Sequence, residues 1–228
     1  MQSLQTISPP KSLTQIAYES LRKSILNGEM RAGELYNEMA IAKQLGISRT
    51  PIREALLELS NKGMVSFLPR RGVVVRSLSE EDVNELFELR QVLETHFITK
   101  LAAKPSDCNF SVLEQNIKKQ KNAALKNSIP NYLRYNGAFH YALAEMCNNQ
   151  RMLEIYGAIV DLIRLLALQS LQHPMRMQDQ LIPQHEAMLR AIKIGDTEKA
   201  TSLLTNHLKE SKLAALEGIQ VIQPLTQP

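Results

Sequence analysis

Cysteine is scarce in this chain. Cys108 and Cys147 are the only two among 228 residues, and no CxxC pair is present. That excludes a disulfide framework and a thiolate zinc site, and it predicts a reducing compartment. Long apolar runs are missing too. No stretch approaches the ~20 residues needed to span a bilayer, and no charged-then-apolar leader opens the chain, so the expectation is a cytoplasmic protein with no membrane partner. Catalytic signatures are equally thin: His185-Glu186-Ala187-Met188-Leu189 lacks the HExxH spacing, and neither a Ser-His-Asp order nor a Gly-rich phosphate loop occurs. Charge of one sign is modest at +4, but it is unevenly spread. Residues 1–78 hold 11 Lys/Arg against 6 Asp/Glu, whereas residues 79–228 hold 16 against 17. The basic first third suits a phosphate backbone.

That basic third has the order of a winged helix-turn-helix. Asn37 can cap a helix carrying Met39, Ile41, Ala42 and Leu45 at helical spacing, and Gly46 supplies the positive φ that ends it. A second helix follows, capped by Ser48 or Thr50, with Pro51 in the first turn where its missing N–H costs nothing. Ile52, Leu56 and Leu59 form its buried face, which turns Arg49 and Arg53 outward at the end that reaches base edges in a major groove. The β-prone stretches Val65–Leu68 and Val73–Arg76 then flank Pro69-Arg70-Arg71-Gly72, a cationic hairpin tip suited to phosphate or minor-groove contact. An upstream helix from Leu13 to about Asn27, with Ala17, Leu21 and Ile25 on one stripe, completes the domain. The expected partner is double-stranded DNA.

The fold expected is mainly α: an N-terminal winged helix-turn-helix over residues 12–78 and an all-α antiparallel helical bundle over residues 79–217. Flexible tails are expected at 1–11 and 218–228. Ser79-Glu80-Glu81-Asp82 resembles a capping box at the boundary. Beyond it the punctuation divides six helices, about 80–103, 107–127, 131–147, 149–171, 178–194 and 197–216, with connections short enough for antiparallel neighbours.

Polar residues on the apolar stripes of this bundle are its unusual feature. The third helix buries Tyr132, Asn136, His140, Leu143 and Cys147, so an amide and an imidazole project inward four residues apart. The sixth buries Ala200, Leu204, His207, Ser211 and Ala214, and on the fifth His185 shares a face with Met188, Leu189 and Ile192. Three inward imidazoles from three helices need a partner in a low-dielectric interior, and a divalent cation satisfies several at once. Hydrogen-bonded core histidines are the alternative. His96 and His173 have no matching partner set and are read as structural.

At this point the residues resemble a family. LGISRTPIREALLELSNKGMV followed by PRRGVVV is similar to the DNA-binding domain of GntR-superfamily bacterial regulators. FELRQVLE, NGAFHYALAE, QHEAMLRAIKIGD and TNHL, in that order, resemble the FCD effector domain of the FadR-like subgroup, in its six-helix VanR-like variant. The resemblance implies a homodimeric, ligand-responsive regulator of transcription that reads a short inverted-repeat operator. Ser48, Arg49, Thr50, Arg53, Arg71 and Gly72 would form its DNA-binding surface. It also implies a metal on Asn136, His140, His185 and His207, with zinc or nickel favoured by imidazole ligands and manganese also compatible. The family more often has Asp where this chain has Asn136, and some relatives have Arg where it has Met39. The effector implied is a small organic acid beside the metal, with Arg90 and Tyr132 as its contacts; an ion pair is the other reading of Arg90. Two further functions stay open: a metal-dependent hydrolase with a three-histidine site, and a DNA-binding protein whose histidine cluster is structural.

Overall fold

The computed structural model describes residues 10–170 and 177–222. His173 and the terminal residues 1–9 and 223–228 lie outside the described residues. The chain forms two compact units that divide between Arg76 and Ser77, with Leu26–Gly28 grouped with the second.

In the first unit, α1 (Leu13–Leu26) buries Ala17, Leu21 and Ile25, the stripe expected from their spacing. Helix α2 (Glu38–Leu45) starts where the Asn37 side chain accepts hydrogen bonds from the backbone N–H groups of Met39 and Ala40, and stops at Gly46, whose φ is 67°. Its apolar face is narrower than its sequence suggests. Ile41 and Ala42 are buried, but Met39 is 66% exposed and does not belong to the core. Helix α3 (Arg49–Asn61) buries Ile52, Ala55, Leu56 and Leu59 completely, while the Ser48 hydroxyl makes no capping hydrogen bond.

The hairpin of β2 (Val65–Leu68) and β3 (Gly72–Val75) gains a third strand, β1 (Leu35–Tyr36), in the order β1-β3-β2 with antiparallel pairing throughout. Two residues are too few for a period-two pattern, so β1 exists only through its pairing of Leu35 with Val74 and Tyr36 with Val73. This pairing constrains Gly72. Its φ is 137°, and a Cβ there would lie 2.4 Å from the Tyr36 carbonyl oxygen. Gly72→Ala is therefore expected to displace β1 or the hairpin and cost about 1–3 kcal/mol. A denaturation midpoint equal to wild type would refute this.

In the second unit, the Ser79 capping box forms as expected, with Ser79 Oγ accepting from Asp82 N and the Asp82 carboxylate accepting from Ser79 N, and α4 (Glu80–Ala103) follows. Helix α5 (Ser111–Leu125) starts later than its pattern suggests because a 3-10 turn over Pro105–Asp107 intervenes and Asn109 accepts from Ser111 N. Helix α6 (Ile129–Met146) starts earlier, since Pro130 fits a first turn. Helix α7 (Gln150–Ser170) is as expected. The fifth expected segment opens as a π-helical turn, Met177–Leu181, before α8 (Ile182–Lys193); Pro183, lacking an N–H, sits in the first turn of α8. The last helix, α9 (Thr197–Ile222), is longer than expected. Helix α4 packs on α9, α6, α7 and α8, so its inner face runs through the middle of the unit.

Candidate functional site

Two constellations emerge, one in each unit. On the first, Arg49 and Arg53 project from the leading end of α3 with side chains 57% and 55% exposed. They share a groove of about 340 Å³ with Met39, Arg70, Arg71 and Gly72. Ser48 and Thr50 are exposed at the same helix end without lining that groove. Arg70 at the hairpin tip adopts a left-handed φ of 61°, and Arg71 N closes the turn onto Leu68 O at 3.1 Å. The reading of separate residues thus becomes one cationic surface between helix and wing. A residue that reading did not assign lies beneath it: Glu38, buried at the start of α2, accepts from Arg49 Nε at 2.8 Å and from a terminal nitrogen of Arg53 at 3.2 Å.

In the second unit the three inward histidines meet. Ligand atoms of His140 on α6, His185 on α8 and His207 on α9 lie within 4.8 Å of one another, and all three residues are buried. Each Nδ1 is engaged at 2.8 Å by an oxygen: Glu94 Oε2 for His140, Gln120 Oε1 for His185 and Gln184 Oε1 for His207. The amide orientations are fixed independently, because the Gln120 nitrogen donates to Tyr135 O and the Gln184 nitrogen donates to Glu210 Oε2. Oxygen acceptors on every Nδ1 place the proton there and leave Nε2 as the lone-pair atom of the neutral ring. Burial, followed by the neighbouring His207 and His140, holds the His185 pKa well below the usual histidine value. The Nε2 atoms of His140 and His185 are buried and have no hydrogen-bond partner.

This donor set fits a metal. Imidazole ligands characteristically donate the second ring N–H to a carboxylate or carbonyl oxygen, which orients the lone pair. Here all three do so, and two orphaned acceptors face a common centre.

Glu94 anchors this arrangement. It is fully buried on α4 and accepts from Arg90 Nε at 2.7 Å, from Tyr156 OH at 2.8 Å and from His140 Nδ1. Burial alone would raise its pKa, but the Arg90 guanidinium and His140 outweigh it and hold the carboxyl well below its ordinary range. Arg90 itself is buried, with one edge committed to Glu94. Both readings of Arg90 meet here, since it is ion-paired and also lines a cavity of about 70 Å³ with Tyr132, Asn136, His207 and Ser211. Asn136 is half-buried on that wall, one helical turn from His140. His207 belongs to both the cluster and the cavity. His96 is exposed.

Glu94 and Gln120 were legible in principle. Each is a polar residue on an apolar stripe, Glu94 with Arg90, Phe97, Ile98 and Leu101, and Gln120 with Leu113, Ile117 and Ala124. Gln184 carries no such signal, being half-buried at the start of α8.

The comparisons with known proteins cover both units. Residues 13–75 match the family "Bacterial regulatory proteins, gntR family", and residues 85–210 match the FCD domain. The HTH-type transcriptional repressor RspR of Escherichia coli K12 is 25% identical over 207 residues, covering 90% of this chain and 89% of its own. A probable D-xylose utilization operon transcriptional repressor of Paenarthrobacter nicotinovorans is 29% identical over 185 residues, covering 81% and 80%. Among solved structures, a GntR transcriptional regulator from Rhodococcus sp. RHA1 superposes with a TM-score of 0.83 at 25% identity, over 91% of this chain and 99% of that one.

Proposed function

Because the chain belongs to the gntR family of bacterial regulatory proteins, with an FCD domain behind its winged helix, we propose that it binds a short inverted-repeat operator as a homodimer and responds to a small organic acid held beside a divalent metal. It is a transcriptional regulator and not an enzyme, as its relatives are. The observation that carries the metal reading is the convergence of three imidazoles whose Nδ1 hydrogens are all spent, two of them with buried, unpartnered Nε2 atoms. A purely structural cluster would leave those two acceptors unsatisfied at about 1–3 kcal/mol each.

His140, His185 and His207 would hold the ion, with the Asn136 carbonyl oxygen as a further donor. Zinc or nickel suits this set best, and manganese is compatible. Bound there, a divalent cation supplies a Lewis-acidic anchor for a carboxylate. Arg90 and Tyr132 line the adjoining cavity, and their positions support their assignment as effector contacts. On the DNA side, Arg49 and Arg53 would read base edges from the major groove, while Ser48, Thr50, Arg71 and the Gly72 turn contact phosphates or the minor groove. Effector occupancy then changes operator affinity by its differential affinity for the DNA-competent and incompetent states. The cytoplasm is the proposed setting. Among the described residues, no helix is long and apolar enough to cross a membrane.

Metal analysis of the purified chain beside a His140→Ala/His207→Ala variant tests the site. About one zinc, nickel or manganese per chain, lost in the variant, is the expected result. No bound metal in either protein, even after incubation with each ion, would end the metal reading.

A further inference from the structure

Glu38 occupies the first position of α2, directly after the Asn37 cap, where a carboxylate is favoured by the helix dipole. Exposure would be the ordinary state of such a residue. Instead it is only 7% exposed, and its two oxygens face two different arginines of α3. A buried carboxylate is tolerated when it is paired, so the acid is the fixed member of this triad and the two half-exposed guanidinium groups are tethered to it. The tether leaves the arginines able to read DNA. Arg49 spends its Nε on Glu38, so its terminal nitrogens remain for the O6 and N7 acceptors of a guanine. Arg53 spends one terminal nitrogen, and its guanidinium carbon lies 5.9 Å from the centre of the Phe67 ring on β2.

Two consequences follow. Both long side chains are ordered before DNA arrives, which removes part of the entropy cost of making a directional base contact. The carboxylate also offsets one of the two positive charges that α3 brings to the groove, beside those of Arg70 and Arg71, which lowers attraction to any phosphate backbone regardless of sequence. We propose that Glu38 is a specificity-determining positioning residue, a buried anchor that turns Arg49 and Arg53 from general phosphate binders into oriented base readers. The proposal rests on the docking assigned above to those two arginines.

The test uses the full-length chain, two duplex probes and four proteins. One probe is the duplex that the wild-type protein enriches from a randomised pool; the other is a shuffled duplex of equal length and composition. Affinities are measured over a range of salt concentrations for wild type, Glu38→Gln, Glu38→Asp and Arg49→Ala, with thermal melts as a check on folding. In Glu38→Gln, preference for the enriched duplex should fall roughly tenfold. Its binding to the shuffled duplex should hold or strengthen, and its salt slope should steepen by about one. Glu38→Asp keeps the charge but draws the anchor back, so selectivity should fall without the steeper slope. That second variant tests the positioning role even where Glu38→Gln folds poorly. Unchanged selectivity in both Glu38 variants, with Arg49→Ala losing it, would overturn the role of Glu38 alone. Full selectivity retained in Arg49→Ala would overturn the docking and the role of Glu38 together.

Discussion

Arg49→Ala is expected to lose specific DNA binding while leaving the fold and the oligomeric state unchanged. The side chain is 57% exposed, and the buried residues of its helix, Ile52, Ala55, Leu56 and Leu59, do not depend on it. Its one ion pair is half in solvent, so the stability lost with it should be small, and Glu38 keeps Arg53 as a partner. The DNA side is different. An arginine paired to a guanine edge contributes about 1–3 kcal/mol of discrimination, and a dimer on an inverted repeat uses that contact twice. The predicted loss is therefore about 2–6 kcal/mol in operator preference, a large share of the ~4–10 kcal/mol that separates specific from random binding. Anisotropy with the enriched and shuffled duplexes measures it, with sedimentation to follow the oligomer. Selectivity equal to wild type would show that α3 does not enter the groove by this end.

Glu94→Ala should produce a large loss of stability. Removing that carboxylate strands the Arg90 guanidinium, the Tyr156 hydroxyl and the His140 N–H together in the interior. Breaking a buried pair by deleting one partner costs about 3–5 kcal/mol, because the remaining charge stays desolvated and unpaired. Glu94→Gln should cost less, since an amide oxygen can still accept from one donor. Both should weaken metal binding by roughly 10–100-fold through loss of the oxygen that orients His140. Denaturant melts of the metal-free protein isolate the first effect, and competition with a coloured chelator reads the second. A melt of Glu94→Ala that coincides with wild type would mean the triad contributes nothing to stability. The sign with pH follows from the depressed carboxyl. Its stabilising contribution is complete above the unfolded value near 4.5 and declines as pH falls below it.

Much of this architecture was readable in one dimension because its causes are local. The Asn37 cap, the Gly46 stop, the Ser79 capping box, the stripes of α1 and α3 and most of those of α6 and α9, where Asn136, Ser211 and Ala214 are only half-buried, are set by residues within a turn or two of each other. The inward direction of His140, His185 and His207 belongs to the same class, since helical spacing fixes which face a residue shares. Met39 marks where the pattern misled: three residues before the buried Ala42 it counts toward an apolar stripe, but it lies about 200° around the helix from Ile41, and the groove leaves it in solvent. Strand β1 could not be seen at all, being two residues held by their partners on β3.

The sequence by itself determined the helices, the wing, the exposed arginines at the leading end of α3 and the identity of the inward imidazoles. Only the tertiary structure decided what those groups do to one another. Glu38 meets Arg49 and Arg53 across separations of 11 and 15 residues, Glu94 meets His140 across 46, and Gln120 meets His185 across 65. Hydrogen bonds and ion pairs are decided at about 3 Å, a distance that helical periodicity cannot resolve between elements remote in sequence. Packing brought those atoms together, and with them came the tautomers of the histidines, the orientation of the arginines and the charge of the site.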